Sequence, residues 1–276
     1  MKVSLIVAVY KDIEALDLIV SALKLQTYKN FELIVAEDNN SDEMRKYVSS
    51  ISEIDVIHTY QEDRGVRKSR SVNNAILKAT GEYLIFIDGD CIPYATFVES
   101  HVYLAEKSTV LSGRRLNLGE LFSLKLREKK IESTYLEKNI LSNFFELKKD
   151  IKEGHLEAGI YINPRNILYR LLFKKRKNSS LLGCNYSCFK EDMLKINGLD
   201  ESYGASPVAD DTDMEWRFRK AGLSIKSCKF AANIFHLYHT RKSNNKEFIL
   251  GSELTVMHSR MKKDNYKALV GLDSHL

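Results

Sequence analysis

Cysteine is too scarce here to build a disulfide framework: Cys91, Cys184, Cys188 and Cys228 are the four in a chain of 276 residues. Cys184 and Cys188 lack the two-residue gap of a zinc knuckle and no paired Cys/His set matches them, so reduced, buried thiols are expected. No Gly-x-Gly-x-x-Gly follows the first apolar run, and no Gly-x-x-x-x-Gly-Lys-Ser/Thr occurs anywhere, which argues against a dinucleotide enzyme and a P-loop. An excess of one charge is missing too. Lys and Arg number 42 against 37 Asp and Glu, a surplus compatible with a phosphate-bearing ligand or an anionic surface but too small to indicate nucleic acid. The apolar run at 3–10 is too short for a spanning helix, lacks a small-residue cleavage site and is followed by charge. A signal peptide is therefore not expected, and the expected compartment is the cytoplasm.

What remains is globular composition, 44% hydrophobic and 29% charged, in a chain long enough to bury a core. Residues 3–10 read as a buried strand, and Ile13, Leu16, Ile19, Val20 and Leu23 follow at helical spacing with Asp12 placed as the N-cap. Strands are expected at 31–36, 55–59 and 83–87, with helices marked by Met44, Tyr47, Val48 and Ile51 and by Val72, Ala75, Ile76 and Ala79. Such alternation predicts a mostly parallel sheet flanked by helices, and ligands of these sheets lie at the carboxyl ends of the strands. Three polar or acidic stretches fall there: 9–12, 37–42 and 88–90.

Asp88 and Asp90, two apart at a strand end, face the same side of the pleat. Paired carboxylates repel unless a proton or a cation relieves them, and hard oxygen ligands suit Mg²⁺ or Mn²⁺. The bland alternative is a solvated turn, since Asp-Gly is a common turn pair. Asp210, Asp211 and Asp213 precede a helical pattern of Met214, Trp216, Phe218 and Ala221, where the helix dipole alone favours acids. Residues 230–235 read as a strand ended by His236-Leu237-Tyr238-His239; a strand-end histidine is more often structural than a ligand. Leu168, Leu171 and Leu172, followed by bases through Lys177, fit either an amphipathic helix lying on a membrane or an ordinary solvated face.

Taken in order, Val9-Tyr10, the 35–42 run VAEDNNSD, the 61–67 run QEDRGVR, the 81–90 run GEYLIFIDGD, the 183–187 run GCNYS, the 197–201 run NGLDE and the 210–213 run DDTD resemble a family 2 inverting glycosyltransferase. The likeness spans 1–112 and 181–245 and is similar to the bacterial chondroitin-polymerase and galactosyltransferase-like branch. It implies an α/β GT-A fold with a nucleotide-sugar-binding half at 1–112, a variable helical insert at 113–180 and an acceptor-side, catalytic-base half at 181–276, all one continuous domain. It implies a UDP-sugar donor, Mn²⁺ or Mg²⁺, a glycan or lipid-linked acceptor in surface polysaccharide synthesis, and peripheral membrane contact. Position by position, Glu37 would hold the uracil with Asp38 beside it, and Val9 and Tyr10 would line the base pocket. Arg67 and Lys68 would face the nucleotide, and Asn73 would stand at the Asn that opens the following helix. Asp88 would lie near ribose and metal; Asp90 and His236 would bind the metal, with His239 as fallback. Asp211 would be the catalytic base, with Asp210 holding the acceptor. Departures include Val66 for the branch's Phe, Val72 where Arg is common, and Ala205-Ser206-Pro207-Val208 for the Gly-Trp-Gly before the acidic pair. Two rivals stand beside this: a non-catalytic nucleotide-sugar-binding protein of the same fold, and a sugar nucleotidyltransferase, disfavoured because its first loop is usually glycine-rich.

Overall fold

A computed structural model describes residues 1–173, 179–204, 211–240 and 246–275. The strands are β1 Val3–Val9, β2 Phe31–Glu37, β3 Asp55–Tyr60, β4 Tyr83–Asp88, β5 Cys91–Pro93, β6 Thr109–Ser112, β7 Arg114–Asn117, β8 Asn185–Phe189, β9 Ser224–Ser227 and β10 Asn233–His236. The helices are α1 Ile13–Lys24, α2 Asp42–Ser50, α3 Lys68–Lys78, α4 Phe97–Leu104, α5 Glu120–Arg127, α6 Ser133–Lys138, α7 Phe144–Asp150, α8 Ile167–Phe173, α9 Lys190–Lys195, α10 Thr212–Lys220 and α11 Lys246–Lys262. Among the described residues no helix is long and apolar enough to cross a membrane.

The central sheet has seven strands in the order β3-β2-β1-β4-β8-β6-β9. The first four are parallel, as the alternating pattern requires; β8 runs antiparallel to β4 and β6, and β9 returns parallel to β6. Alternation along β1 sends Val3, Leu5, Val7 and Val9 into one core layer with Leu16, Ile19 and Leu23 of α1. It sends Ile6 into the other layer with Val72, Ala75 and Ile76 of α3. With both faces covered, β1 can be a nearly continuous apolar run. Asp12 caps α1 as expected, accepting from the Ala15 amide at 3.0 Å.

Two strands join the back half to the site. β8 extends the sheet past β4, so 1–112 and 181–276 share one sheet, and β7 places a strand inside the stretch expected to be a helical insert. β10 is shorter than the apolar run suggested, because Phe230 has a φ of 72° and strand pairing begins only at Asn233. It lies between β5 and β7 in a second, three-stranded sheet, antiparallel to β5 with His236 opposite Cys91.

The back half is held by buried charge. Arg217 and Asp213 are both fully buried, with Arg217 Nε 2.5 Å from Asp213 Oδ2, and the Tyr203 hydroxyl and Trp216 Nε1 also donate to Asp213. Arg260 of α11 donates to Asp200 at 2.5 Å. Asn73 lies inside α3 rather than at its start, and its amide bridges to the backbone of Leu199 in both directions at 2.9 Å. Its role is to fasten the two halves together.

Candidate active site

Parallel register fixes where the strand ends meet. Val9 pairs with Glu37 and Ala8 with Asp88, so Tyr10, Asp38 and Gly89 leave the sheet along one edge. Gly89 is required there by close approach, since a Cβ on it would sit 2.8 Å from the Ala8 carbonyl oxygen. Above this edge opens a cleft of about 590 Å³, within the range of small-ligand sites. Val9, Tyr10, Asp38, Lys68, Asp88, Asp90 and His239 line it, together with Asp12, Val66, Arg127 and Tyr238.

Adjacent residues of β2 and its exit take opposite faces, and this separates Glu37 from Asp38. Glu37 is wholly buried and does not line the cleft; its carboxylate meets His58 Nε2 at 2.9 Å and accepts from the Ser41 amide at 3.2 Å. Asp38 is the carboxylate on the cleft side. It is positioned by the Gln61 side-chain amide at 2.6 Å and the Arg67 backbone amide at 2.7 Å. Arg67 contributes that backbone contact, while its guanidinium turns to the Glu62 carbonyl rather than into the cleft. The neighbouring Lys68, first residue of α3, does face the cleft and sets its Nζ 2.7 Å from Asp88 Oδ1. Tyr10 is exposed, and its hydroxyl donates to Asp63 Oδ2 at 3.2 Å, with Lys11 on the same oxygen at 2.7 Å.

Asp90 is the centre of a second group. His236 Nε2 lies 3.3 Å and His239 Nε2 3.4 Å from its Oδ2, and the three residues offer ligand atoms within 4.8 Å of one another. Burial alone would raise the Asp90 carboxyl, but the hydrogen bond and charge of His236 and the charge of His239 outweigh it and hold it at about 2. The two histidines are not alternatives. Strand pairing stops at His236, the Leu237 amide bonds the Asp90 carbonyl at 2.9 Å, and the chain turns so that His239 returns to the same carboxylate. One carboxylate and two imidazoles form a donor set suited to a divalent first-row cation such as Mn²⁺. Asp88 is not part of the group; its partner is Lys68.

Arg127 escaped the sequence reading. It reaches from α5 into the cleft, its Nη1 and Nη2 on the two oxygens of Asp12 at 3.0 and 2.7 Å. Nothing local in α5 marks it, since only the tertiary approach of α5 to α1 brings it there. Asp211 lies apart from the cleft. It is the N-cap of α10 and lines a separate groove with Thr212, Glu215, Trp216 and Arg219. Asp210 lies outside the described residues, as do 205–208 and the basic residues 174–177. All four cysteines are buried and free of disulfides.

The chain matches "Glycosyl transferase family 2" over residues 4–166 and "N-terminal domain of galactosyltransferase" over 167–240. It belongs to glycosyl transferase family 2. An uncharacterized glycosyltransferase of Rickettsia felis is 31% identical over 40% of this chain, which spans only 18% of that relative's length. A UDP-Glc:α-D-GlcNAc-diphosphoundecaprenol β-1,3-glucosyltransferase of Escherichia coli is 24% identical over 68% of this chain and 76% of its own. Among solved structures, a mannosyltransferase of Pyrobaculum calidifontis in complex with GDP-Man and Mn²⁺ superposes with a TM-score of 0.59 at 14% identity, covering 95% of this chain and 64% of that one. The fold is therefore GT-A, α/β with a mostly parallel central sheet.

Proposed function

We propose that this family 2 member is a metal-dependent inverting glycosyltransferase that moves a hexosyl or N-acetylhexosaminyl group from a UDP-sugar to a hydroxyl of a lipid-linked glycan acceptor at the inner face of a membrane. The observation that carries this reading is the convergence of Asp90, His236 and His239 on one edge of a cleft whose other walls hold Asp38 and Lys68. The E. coli relative, by its name, joins UDP-glucose to a diphosphoundecaprenol-linked sugar in β linkage.

A divalent cation held by Asp90, His236 and His239 would offset charge on the departing nucleoside diphosphate. Asp38, its carboxylate fixed by Gln61 and the Arg67 amide, accepts a hydrogen bond from the uracil ring, the role expected of Glu37 but carried here by the cleft-side neighbour. Val9 and Tyr10 flank the base. Lys68 and Arg127 supply positive charge toward the phosphates, each held in place by a carboxylate, Asp88 and Asp12 respectively. Asp88 stands within reach of the ribose from the same pairing. In the transfer, the acceptor oxygen forms a bond to the anomeric carbon as the bond from that carbon to UDP breaks on the opposite face. The acceptor proton goes to Asp211, the base that the family resemblance implies, with Asp210 beside it in sequence; because Asp211 lines a groove apart from the cleft, this role requires the head of α10 to approach the donor when the acceptor binds. One such displacement converts an α-linked donor into a β-linked product.

The test is UDP release by the purified protein across a panel of UDP-sugars with a lipid-diphosphate sugar acceptor, in Mn²⁺ or in EDTA. Metal-dependent release from one donor, lost in Asp90→Ala and Asp211→Ala, is expected. Tight UDP binding with no release from any donor–acceptor pair favours a non-catalytic sugar-nucleotide binder, and free sugar-nucleotide made from UTP favours a nucleotidyltransferase.

A further inference from the structure

Beside the cleft runs an apolar groove of about 310 Å³ that the donor chemistry leaves unused. Ile140, Leu141, Phe144, Ile151 and Ile160 supply its apolar wall and Lys148 its rim. Leu141 is 75% exposed, and Phe145, edge-on to Phe144, is 78% exposed. These are the highest exposures among the described large apolar side chains, and keeping them on the surface is costly without an occupant. The hairpin that carries them is firmly built. Asp150 at the end of α7 accepts from the Leu121 and Phe122 amides at the start of α5, at 2.9 and 3.1 Å, so the groove is a fixed feature rather than a loose loop.

One cation links the groove to the wall of the catalytic cleft. Lys152 follows Ile151 of the groove, donates to the Tyr238 hydroxyl at 3.3 Å and lies over its ring; Tyr238 lines the cleft next to His239. Through these two neighbours the Lys152 ammonium stands between the Tyr238–His239 wall of the cleft and the hydrocarbon wall of the groove. Glu157 at the groove is already engaged by His155 and Lys229. That order of polar cleft, cation and apolar trough matches a sugar joined through a diphosphate to a hydrocarbon chain.

We infer that the Leu141–Phe144–Ile151 groove holds the first units of the acceptor's polyisoprenoid chain, with Lys152 on the acceptor diphosphate. This rests on the glycosyltransferase reading for the acceptor's class, but the site can be tested without turnover. Binding of farnesyl diphosphate and of inorganic diphosphate, each with Mn²⁺ and below micelle formation, is measured by calorimetry on the full chain, with UDP binding in parallel. Farnesyl diphosphate is expected to bind about tenfold or more tightly than inorganic diphosphate, from the burial of a few methylenes. Leu141→Gln, a change at an exposed position, is expected to erase that advantage while leaving UDP affinity unchanged, and Lys152→Met to weaken farnesyl diphosphate with the chain preference retained.

Equal affinity for the two diphosphates, or an advantage that survives Leu141→Gln, overturns the assignment. So does a concentration-dependent dimer that Leu141→Gln abolishes, which would make a second copy of the chain the occupant. Farnesyl diphosphate selectivity without any UDP binding would uphold the groove and sink the glycosyltransferase reading, so the two failures are distinguishable.

Discussion

Arg127 grips Asp12 with both ends of its guanidinium, 3.0 and 2.7 Å from the two carboxylate oxygens, while the same carboxylate caps α1 through the Ala15 amide. One side chain thus sets the start of α1 and holds a cation at the cleft wall. Asp12→Ala is expected to cost about 1–2 kcal/mol in urea unfolding, mostly from the lost cap. Both partners are partly exposed, so solvent screening limits their pairing to about 0.5–1 kcal/mol in a double-mutant cycle with Arg127→Met. If Arg127 serves the phosphates as well, Arg127→Met will raise the KM for the donor several-fold, far beyond its effect on stability. A KM unchanged within error would confine the residue to structure.

The Asp90–His236–His239 group makes a claim that needs no substrate. Mn²⁺ is expected to raise the melting temperature of the protein, since a ligand that binds only the folded state stabilises it by mass action. His236→Ala and His239→Ala should each weaken Mn²⁺ binding by about tenfold or more, read by electron paramagnetic resonance of the free ion. Equal Mn²⁺ affinity in His239→Ala would return that residue to a bystander on the turn after β10.

How much of this was legible in the sequence follows from the range of each interaction. The β/α alternation, the Asp12 cap and the strand-end position of Asp88 and Asp90 were all readable because each depends on neighbours in the chain. The placement of Glu37 was not. Which of two adjacent acids enters the cleft depends on strand parity, and the destination of Glu37 depends on His58, a partner in the next strand. Likewise His239 stood only as a fallback to His236, since a β10 that continued would turn a residue three positions on to the opposite face, whereas pairing with β5 ends at His236. Arg127 and the groove at Leu141 belong to the segment where motif resemblance was thinnest, and only packing of α5 on α1 and α7 reveals them.

Lys68 and Asp88 offer a direct test of donor contacts. Their 2.7 Å pair lies inside the cleft, and both side chains keep about a quarter of their surface exposed. Lys68→Met is expected to lower UDP affinity several-fold more than uridine affinity, because a phosphate-facing cation is of no use to the nucleoside. Asp38→Asn should instead weaken uridine and UDP alike. A common loss in both variants for both ligands would indicate general disturbance of the cleft.

His101 predicts an acid limit to stability. It is fully buried in α4, between the Ser187 hydroxyl at 2.7 Å and the Asn185 side-chain Oδ1 at 3.2 Å, and burial lowers it from 6.5 to about 4. The folded state therefore prefers the neutral ring and binds fewer protons than the unfolded chain between these values. The contribution is full above pH 6.5 and is lost as pH falls through about 4, for a total of about 3 kcal/mol. His101→Gln should flatten that part of the stability-versus-pH curve measured by urea unfolding, at a cost in stability near neutrality. An unchanged slope would mean that another buried group governs acid unfolding.

The Asp213–Arg217 pair yields the largest expected loss. Both side chains are wholly buried, and Arg217 also donates to the carbonyls of Ile196 and Gly198 at 3.0 and 2.8 Å, so neither charge has access to water. Removing Asp213 leaves Arg217 uncompensated in a medium that solvates it poorly, and removing Arg217 leaves Asp213 with only Arg260 Nη1 at 3.7 Å. Asp213→Asn or Arg217→Met is therefore expected to destabilise by about 3–5 kcal/mol. An apolar double replacement should recover part of that loss, because it removes both desolvation penalties together. If the double variant is instead as unstable as the sum of the two singles, the loss comes from the bonds to Ile196, Gly198, Tyr203 and Trp216 rather than from stranded charge. The network would then act as a polar scaffold for the head of α10, and UDP release in the Asp213→Asn protein would fall together with its folded fraction.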